Sequence, residues 1–285
     1  MSSLRRAIAG EFYLFSHRRS IRVMHVMVFL LACLLVVFNR GSVSAFAELN
    51  ELALEEVSSY NFWPQWALAT HTTLYLVELS IILLIAGALP HEISSASIRD
   101  PLSRRISRTS LILARAVVAV VIPLSLYACA LLGAALMSSI LFDAGDIVEE
   151  GQVIMSIVDD GVASALYKSM LHAVLPLVTL GVFASACGAI FQRSVLAVGV
   201  CFMMVLVPTM LHENFSELMP YYFADFLPAF GPDSFLERTA SYSQGLSDAY
   251  PYSYDEIASI GWLSPLPLLV LAVIFSVAAF RRRAL

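Results

Sequence analysis

The chain has 285 residues, of which 59% are hydrophobic and only 14% charged. Soluble domains carry about 25% charged residues, so a mean hydropathy of +0.79 excludes a soluble globular protein and points to a membrane protein. The net charge of −5 is spread unevenly, and Cys33, Cys129, Cys187 and Cys201 all fall inside apolar runs, where packing thiols are expected rather than disulfides or metal ligands.

Residues Ser3 to Ser16 read as an amphipathic helix. Leu4, Ile8, Phe12 and Phe15 recur at spacings of three and four, with Arg5, Arg6, Arg18 and Arg19 around them. Such a helix lies in the membrane interface, its apolar face in lipid and its arginines near headgroups, so residues 1–22 are expected to form an interfacial elbow. Arginines, a 16-residue apolar stretch and then Ala45-Phe46-Ala47 imitate a signal peptide. The leader before that stretch is too long and too amphipathic for one, and an uncleaved first span is expected.

Six apolar runs follow, near the length of about 20 residues that a spanning helix needs: Val23 to Phe38, Trp66 to Leu89, Ala116 to Phe142, Ser169 to Phe191, Ser194 to Leu211, and Ile257 to Phe280. Pro123, Pro176, Pro208, Pro265 and Pro267 predict kinks in four of them. The fold expected is an all-α integral membrane protein, with residues 23–285 forming a single domain of six transmembrane helices.

Charge sets the orientation. With a cytoplasmic N-terminus and six crossings, the cytoplasmic cations are Arg5, Arg6, Arg18, Arg19, Arg22, Arg99, Arg104, Arg105, Arg108, Arg115, Arg193, Arg281, Arg282 and Arg283, which is 14 of the 17. Only Arg40, Lys168 and Arg238 lie outside. The positive-inside rule therefore places both termini in the cytoplasm of a multi-pass inner-membrane protein, and with them the basic, Ser-rich loop 90–115. The loops assigned to the outside are acidic. The largest, 212–256, is rich in Tyr and Phe. Two readings stand for it: short helices resting on the bilayer surface, or a gate or partner-binding surface open to an extracytoplasmic protein.

Several chemistries are excluded. There is no Gly-x-x-x-x-Gly-Lys-[Ser/Thr] loop for ATP. There is no His-Glu-x-x-His zinc motif, since His212-Glu213 has no second histidine four residues on. No Gly-x-Ser-x-Gly elbow occurs, and no Ser and His pair suits an intramembrane protease. An enzyme is not expected, nor a resident cofactor, metal or nucleic-acid partner. Glu78 lies near the middle of the second run, where an ionisable group costs on the order of 3 kcal/mol to insert. It should face the bundle interior, either as a substrate or ion contact or as a carboxyl bonded to a neighbouring helix, with His172 and Lys168 as candidate partners. Ala184 and Gly188, with Gly181 and Ser185 nearby, and Ser125, Cys129 and Gly133 mark small-residue faces for helix packing.

With that layout in place, the loop and its flanks resemble the membrane subunits of type-2 ABC exporters. The likeness rests on Glu92 at the end of the second run, Pro101-Leu102-Ser103-Arg104 in the loop and Arg115 before the third run. A second match is the stretch from Leu180 to Ala197, with its polar turn at Arg193-Ser194. Within that class the chain is similar to the permeases of nitrous-oxide reductase maturation transporters, a likeness that names no cargo. One departure is Ser94-Ser95-Ala96-Ser97 where the family usually has Gly-Thr.

The resemblance implies a permease subunit, with ATP and Mg²⁺ handled by a separate cytoplasmic ATPase and a second permease copy or paralogue beside it in the bilayer. It further implies that Glu92, Arg99, Asp100, Pro101, Ser103, Arg104 and Arg105 form the main docking element, and that Gln192 and Arg193 form a smaller one. Asp100 and Pro101 suit a helix start as cap and first residue. The rival readings are a membrane anchor or assembly factor without transport, and a secondary carrier using Glu78.

Overall fold

The computed structural model describes residues 3–50, 57, 60–95, 106–149, 152–156, 161–211, 221–231, 234–243 and 260–282. Helix α1 (Ser3–His17) is amphipathic as expected, and Arg18 joins it to α2 (Arg19–Leu49). Helix α2 continues well past Phe38, so much of the first expected outer loop is helical. Arg40 does not end the helix, because its guanidinium donates to the Leu141 carbonyl and lies 5.8 Å from the Tyr60 ring.

Helix α3 runs from Phe62 to Ser94. Asn61 caps it by accepting the Trp63 N–H at 3.1 Å, and a π-helical turn interrupts it at Ile82–Ala86. Helix α4 spans Arg108–Leu141, capped by the Ser107 hydroxyl, which accepts the Ser110 N–H. That cap is why the helix starts before Arg115 rather than at Ala116. After α4, strands β1 (Ile147–Glu149) and β2 (Gln152–Met155) pair as a small antiparallel hairpin.

Helix α5 (Val162–Ile190) follows Gly161, whose φ of 68° is in the left-handed region, where glycine carries no Cβ penalty. Then come α6 (Ser194–Leu211), a 3₁₀ turn at Phe223–Phe226, α7 (Phe235–Ser243) and α8 (Pro265–Arg282). Helices α2 to α5, and the stretch Ile260–Arg281 that contains α8, are long and apolar enough to cross a membrane. The expected fifth span is not among them: its apolar stretch within α6, Ser194–Val207, is shorter. The molecule is a multi-pass helical membrane protein with five such helices among the described residues. Leu34, Phe38, Leu132, Ile140, Ile274 and Phe275 point outward from the bundle, as lipid-facing positions do.

Helix α1 and the last turn of α8 both meet α4 at one end of the bundle. Glu11 of α1 reaches Arg115 of α4, and Arg281 Nε donates to Thr109 Oγ1 at 3.1 Å. Leu89, Leu111, Ala189 and Phe280 pack together there. At the opposite end, Asn61 Nδ2 donates to the Gly145 carbonyl at 2.8 Å, the Phe62 N–H donates to Asp143, and Ala67, Ile147, Val162, Leu166 and Ala240 cluster.

The small-residue faces are packing seams. A Cβ on Gly133 would lie 2.7 Å from the Phe29 carbonyl of α2. On Gly181 it would lie 2.2 Å from the Ala119 carbonyl of α4, and on Gly188 2.9 Å from the Ala86 carbonyl of α3. The last two share a cause. Pro123 and Pro90 have no N–H to give to the carbonyl four residues earlier, which is Ala119 in one helix and Ala86 in the other. The two glycines, seven residues apart on α5, let its backbone approach those exposed carbonyls.

Candidate functional site

Two polar clusters stand out along α3, one at its end around Glu92 and one at its middle around Glu78. At the end where α1 packs, Glu92 of α3 is ion-paired to Arg115 of α4 and to Arg18 at the α1–α2 junction, and Arg115 also reaches Glu11 of α1 at 3.4 Å. Arg115 and Glu11 are buried, with side chains 6% and 3% exposed, while Arg18 remains 33% exposed. Burial pushes the Glu11 carboxyl above its ordinary value, and the Arg115 guanidinium pulls against that shift. Charges this deep are tolerable only when paired. Glu92 and Arg115 therefore tie together the two helices that flank loop 90–115, and Arg18 and Glu11 tie the elbow helix to the same point. Glu92, expected to meet a partner, is turned into this cluster and is 9% exposed.

Arg99, Asp100, Pro101, Ser103, Arg104 and Arg105 lie outside the described residues. Gln192 and Arg193 are exposed at the α5–α6 turn, and the next residue anchors it: Ser194 Oγ donates to the Gly87 carbonyl of α3 at 3.2 Å. Pro90, Ser94, Gln192, Arg193, Val195 and Met203 line a groove of about 880 Å³ between the end of α3 and α6. The turn thus sits at the same end of the bundle as the ion cluster.

The second cluster surrounds Glu78, which is fully buried. Its carboxyl is bonded neither to a neighbouring helix nor to His172 or Lys168. Oε1 accepts the Ala229 N–H at 2.8 Å and Oε2 the Phe230 N–H at 3.2 Å. His172 instead takes the Trp262 indole N–H at 3.1 Å and packs on Phe235, while Lys168 is exposed.

The loop after α6 is therefore not resting on a surface along its whole length. Phe223, Ala224, Asp225, Phe226 and Leu227 are buried in the bundle, although Tyr221 is exposed. The segment turns sharply at Gly231, where a Cβ would lie 2.4 Å from the Asp225 carbonyl and 2.5 Å from the Leu227 carbonyl. Ser234 then redirects it. Its hydroxyl donates to the Pro228 carbonyl at 2.9 Å and accepts the Glu237 N–H at 3.3 Å, opening α7.

Sequence reasoning missed His71 and Tyr75. His71 Nδ1 lies 2.9 Å from the Pro228 carbonyl, and the Tyr75 ring meets Phe230 edge-on at 5.2 Å. With Glu78 they recur at spacings of four and three, one face of a helix. That polar stripe inside an apolar run was the available signal. Ser234-Phe235-Leu236-Glu237 has the Ser-x-x-Glu spacing of a capping box, a second readable sign that a helix begins there.

Among the described residues no group of three or more His, Cys, Asp or Glu side chains is placed to hold a metal ion. The fold and the two clusters define a multi-pass helical membrane protein whose polar groups tie elements together. Residues 24–284 match the family described as "Protein of unknown function (DUF2705)", and the chain belongs to that family. No curated protein matches it.

Proposed function

We propose that the chain is the membrane permease subunit of an ATP-driven transporter of the exporter type, moved by a separate cytoplasmic ATPase. The observation that carries this is the ion cluster at the base of loop 90–115. Glu92 and Arg115 clamp the two helices on which the loop stands, and Arg18 and Glu11 fasten the elbow helix to them. Force applied to the loop would reach α1, α3 and α4 together through buried, paired charges. The exposed Gln192–Arg193 turn offers a second contact at the same end of the bundle, coupled to α3 through Ser194.

Six crossings with both termini in the cytoplasm fit the connectivity. Helix α5 ends beside Leu89 and Phe280, whereas Trp262, just before α8, lies by His172 at the other end. A sixth crossing between them would fall to α6. A helix of 18 residues covers roughly 27 Å at 1.5 Å per residue, close to the hydrocarbon thickness of about 30 Å. A second permease copy or paralogue would cover the apolar face between α3 and α6.

Mild solubilisation of tagged chain from its own cells tests the reading. A P-loop ATPase should come down with it, and the complex should hydrolyse ATP. A chain that behaves as an anchor or assembly factor would come down without one.

A further inference from the structure

Segment 227–231 enters the bundle between α3 and α6. Phe230 packs edge-on against Tyr75 at 5.2 Å and against Phe202 of α6 at 6.5 Å. Irregular backbone at this depth needs partners for its peptide groups, and α3 supplies them from one face. His71 holds the Pro228 carbonyl, and Glu78 holds the N–H groups of Ala229 and Phe230. Beyond Phe230, toward the termini, Leu79, Ile82, Leu83, Val198 and Phe202 line an apolar groove of about 630 Å³ that continues to Gly87 and Ser194. Phe202, against which Phe230 packs, lines this groove, so the segment borders it at that end.

We infer that segment 227–231 is a gate over the groove and that Glu78 is its latch, a reading that rests on the transporter function proposed above for what the gate admits. A segment that only filled core would be held by apolar contact alone. This one is also held by a single carboxyl that takes two successive amides from a turn whose own backbone bond runs from the Gly231 N–H to the Leu227 carbonyl. An N–H left unpaired inside an apolar bundle is costly. Losing the carboxyl therefore drives the segment toward water instead of leaving it loosely in place, and α3 and α6 need not unpack for it to leave. Gating loops of this kind move on slow timescales without unfolding the domain.

Amide hydrogen exchange on the full chain in proteoliposomes reads the latch directly. Glu78→Gln keeps one acceptor oxygen and turns an amide NH₂ toward the other N–H. The peptide covering 227–231 should then exchange about tenfold faster than in the wild type, with α4 and α5 peptides unchanged. In the same background, Leu79→Cys in the groove should react about tenfold faster with a water-soluble methanethiosulfonate added from the loop side.

Exchange within about twofold of the wild type would overturn the latch. Faster exchange with unchanged Leu79→Cys reactivity would overturn the gate, because the segment would then be a clasp with nothing behind it. If α4 and α5 also lose protection in Glu78→Gln, Glu78→Asp decides by the same two readings, since it keeps the charge and withdraws the carboxyl by one methylene. No ATPase enters either measurement, so a negative result removes the latch and leaves the docking reading untouched. Failure of docking leaves the latch untouched in turn.

Discussion

Arg115 and Arg18 both pair with Glu92, yet they should respond very differently to removal. Arg115→Leu leaves Glu92 and Glu11 short of a buried countercharge, and breaking a buried pair costs about 3–5 kcal/mol. Arg18 is a third exposed and Arg115 remains to hold Glu92, so Arg18→Ala should cost less than about 1 kcal/mol. Thermal unfolding in detergent, the two variants side by side, checks the ranking; equal losses would mean that burial does not set the value of these pairs. The glycines give a second contrast. Gly181→Ala drives a methyl into the Ala119 carbonyl and should destabilise by about 1–3 kcal/mol, the usual cost of overpacking. Gly199→Ala meets nothing within 4 Å and should be neutral or stabilising by up to about 1 kcal/mol from helix propensity. The same melting experiment reads both.

At the scale of elements, α1 is fastened by a narrower face than its hydrophobicity suggests. Ala7, Glu11 and Phe15 recur every four residues and are buried, whereas Phe12 is 46% exposed. Ala7→Trp should therefore lift α1 from α4 and lower stability, while Phe12→Leu should stay within about 0.5 kcal/mol. If Phe12→Leu proves the more damaging, α1 packs through the other face. Much of this architecture was legible. Apolar runs of spanning length, the amphipathic leader and the packing faces around Gly133, Gly181 and Gly188 follow from composition and spacing. Helix limits were less so. The extension of α2 to Leu49 depends on Arg40 finding the Leu141 carbonyl, and the start of α4 on a cap at Ser107. The candidate sites divide in the same way. That Glu78 must face inward follows from the energetics of a carboxyl among apolar residues. That its partners would be backbone amides of a segment about 150 residues later does not, because main-chain donors leave no mark in the side-chain sequence.

Taken whole, the molecule has two polar centres on α3, a buried ion cluster at its end and a carboxyl clasp, at its middle, around the loop after α6. Helix α3 carries both, and its π-helical turn lies between Glu78 and Glu92. Such turns are often found at functional sites. The proposed function has an ATPase grip the chain through the basic loop 90–115, whose flanking helices the ion cluster joins. The most direct measurement compares tagged wild-type chain with the Arg104→Glu/Arg105→Glu double variant, each captured from native membranes in mild detergent, and quantifies the ATPase retained. Wild type should retain it, and the double reversal should reduce it by about tenfold or more, since like charges placed against a complementary surface cost several kcal/mol. An ATPase retained equally by both, or by neither, would contradict the account.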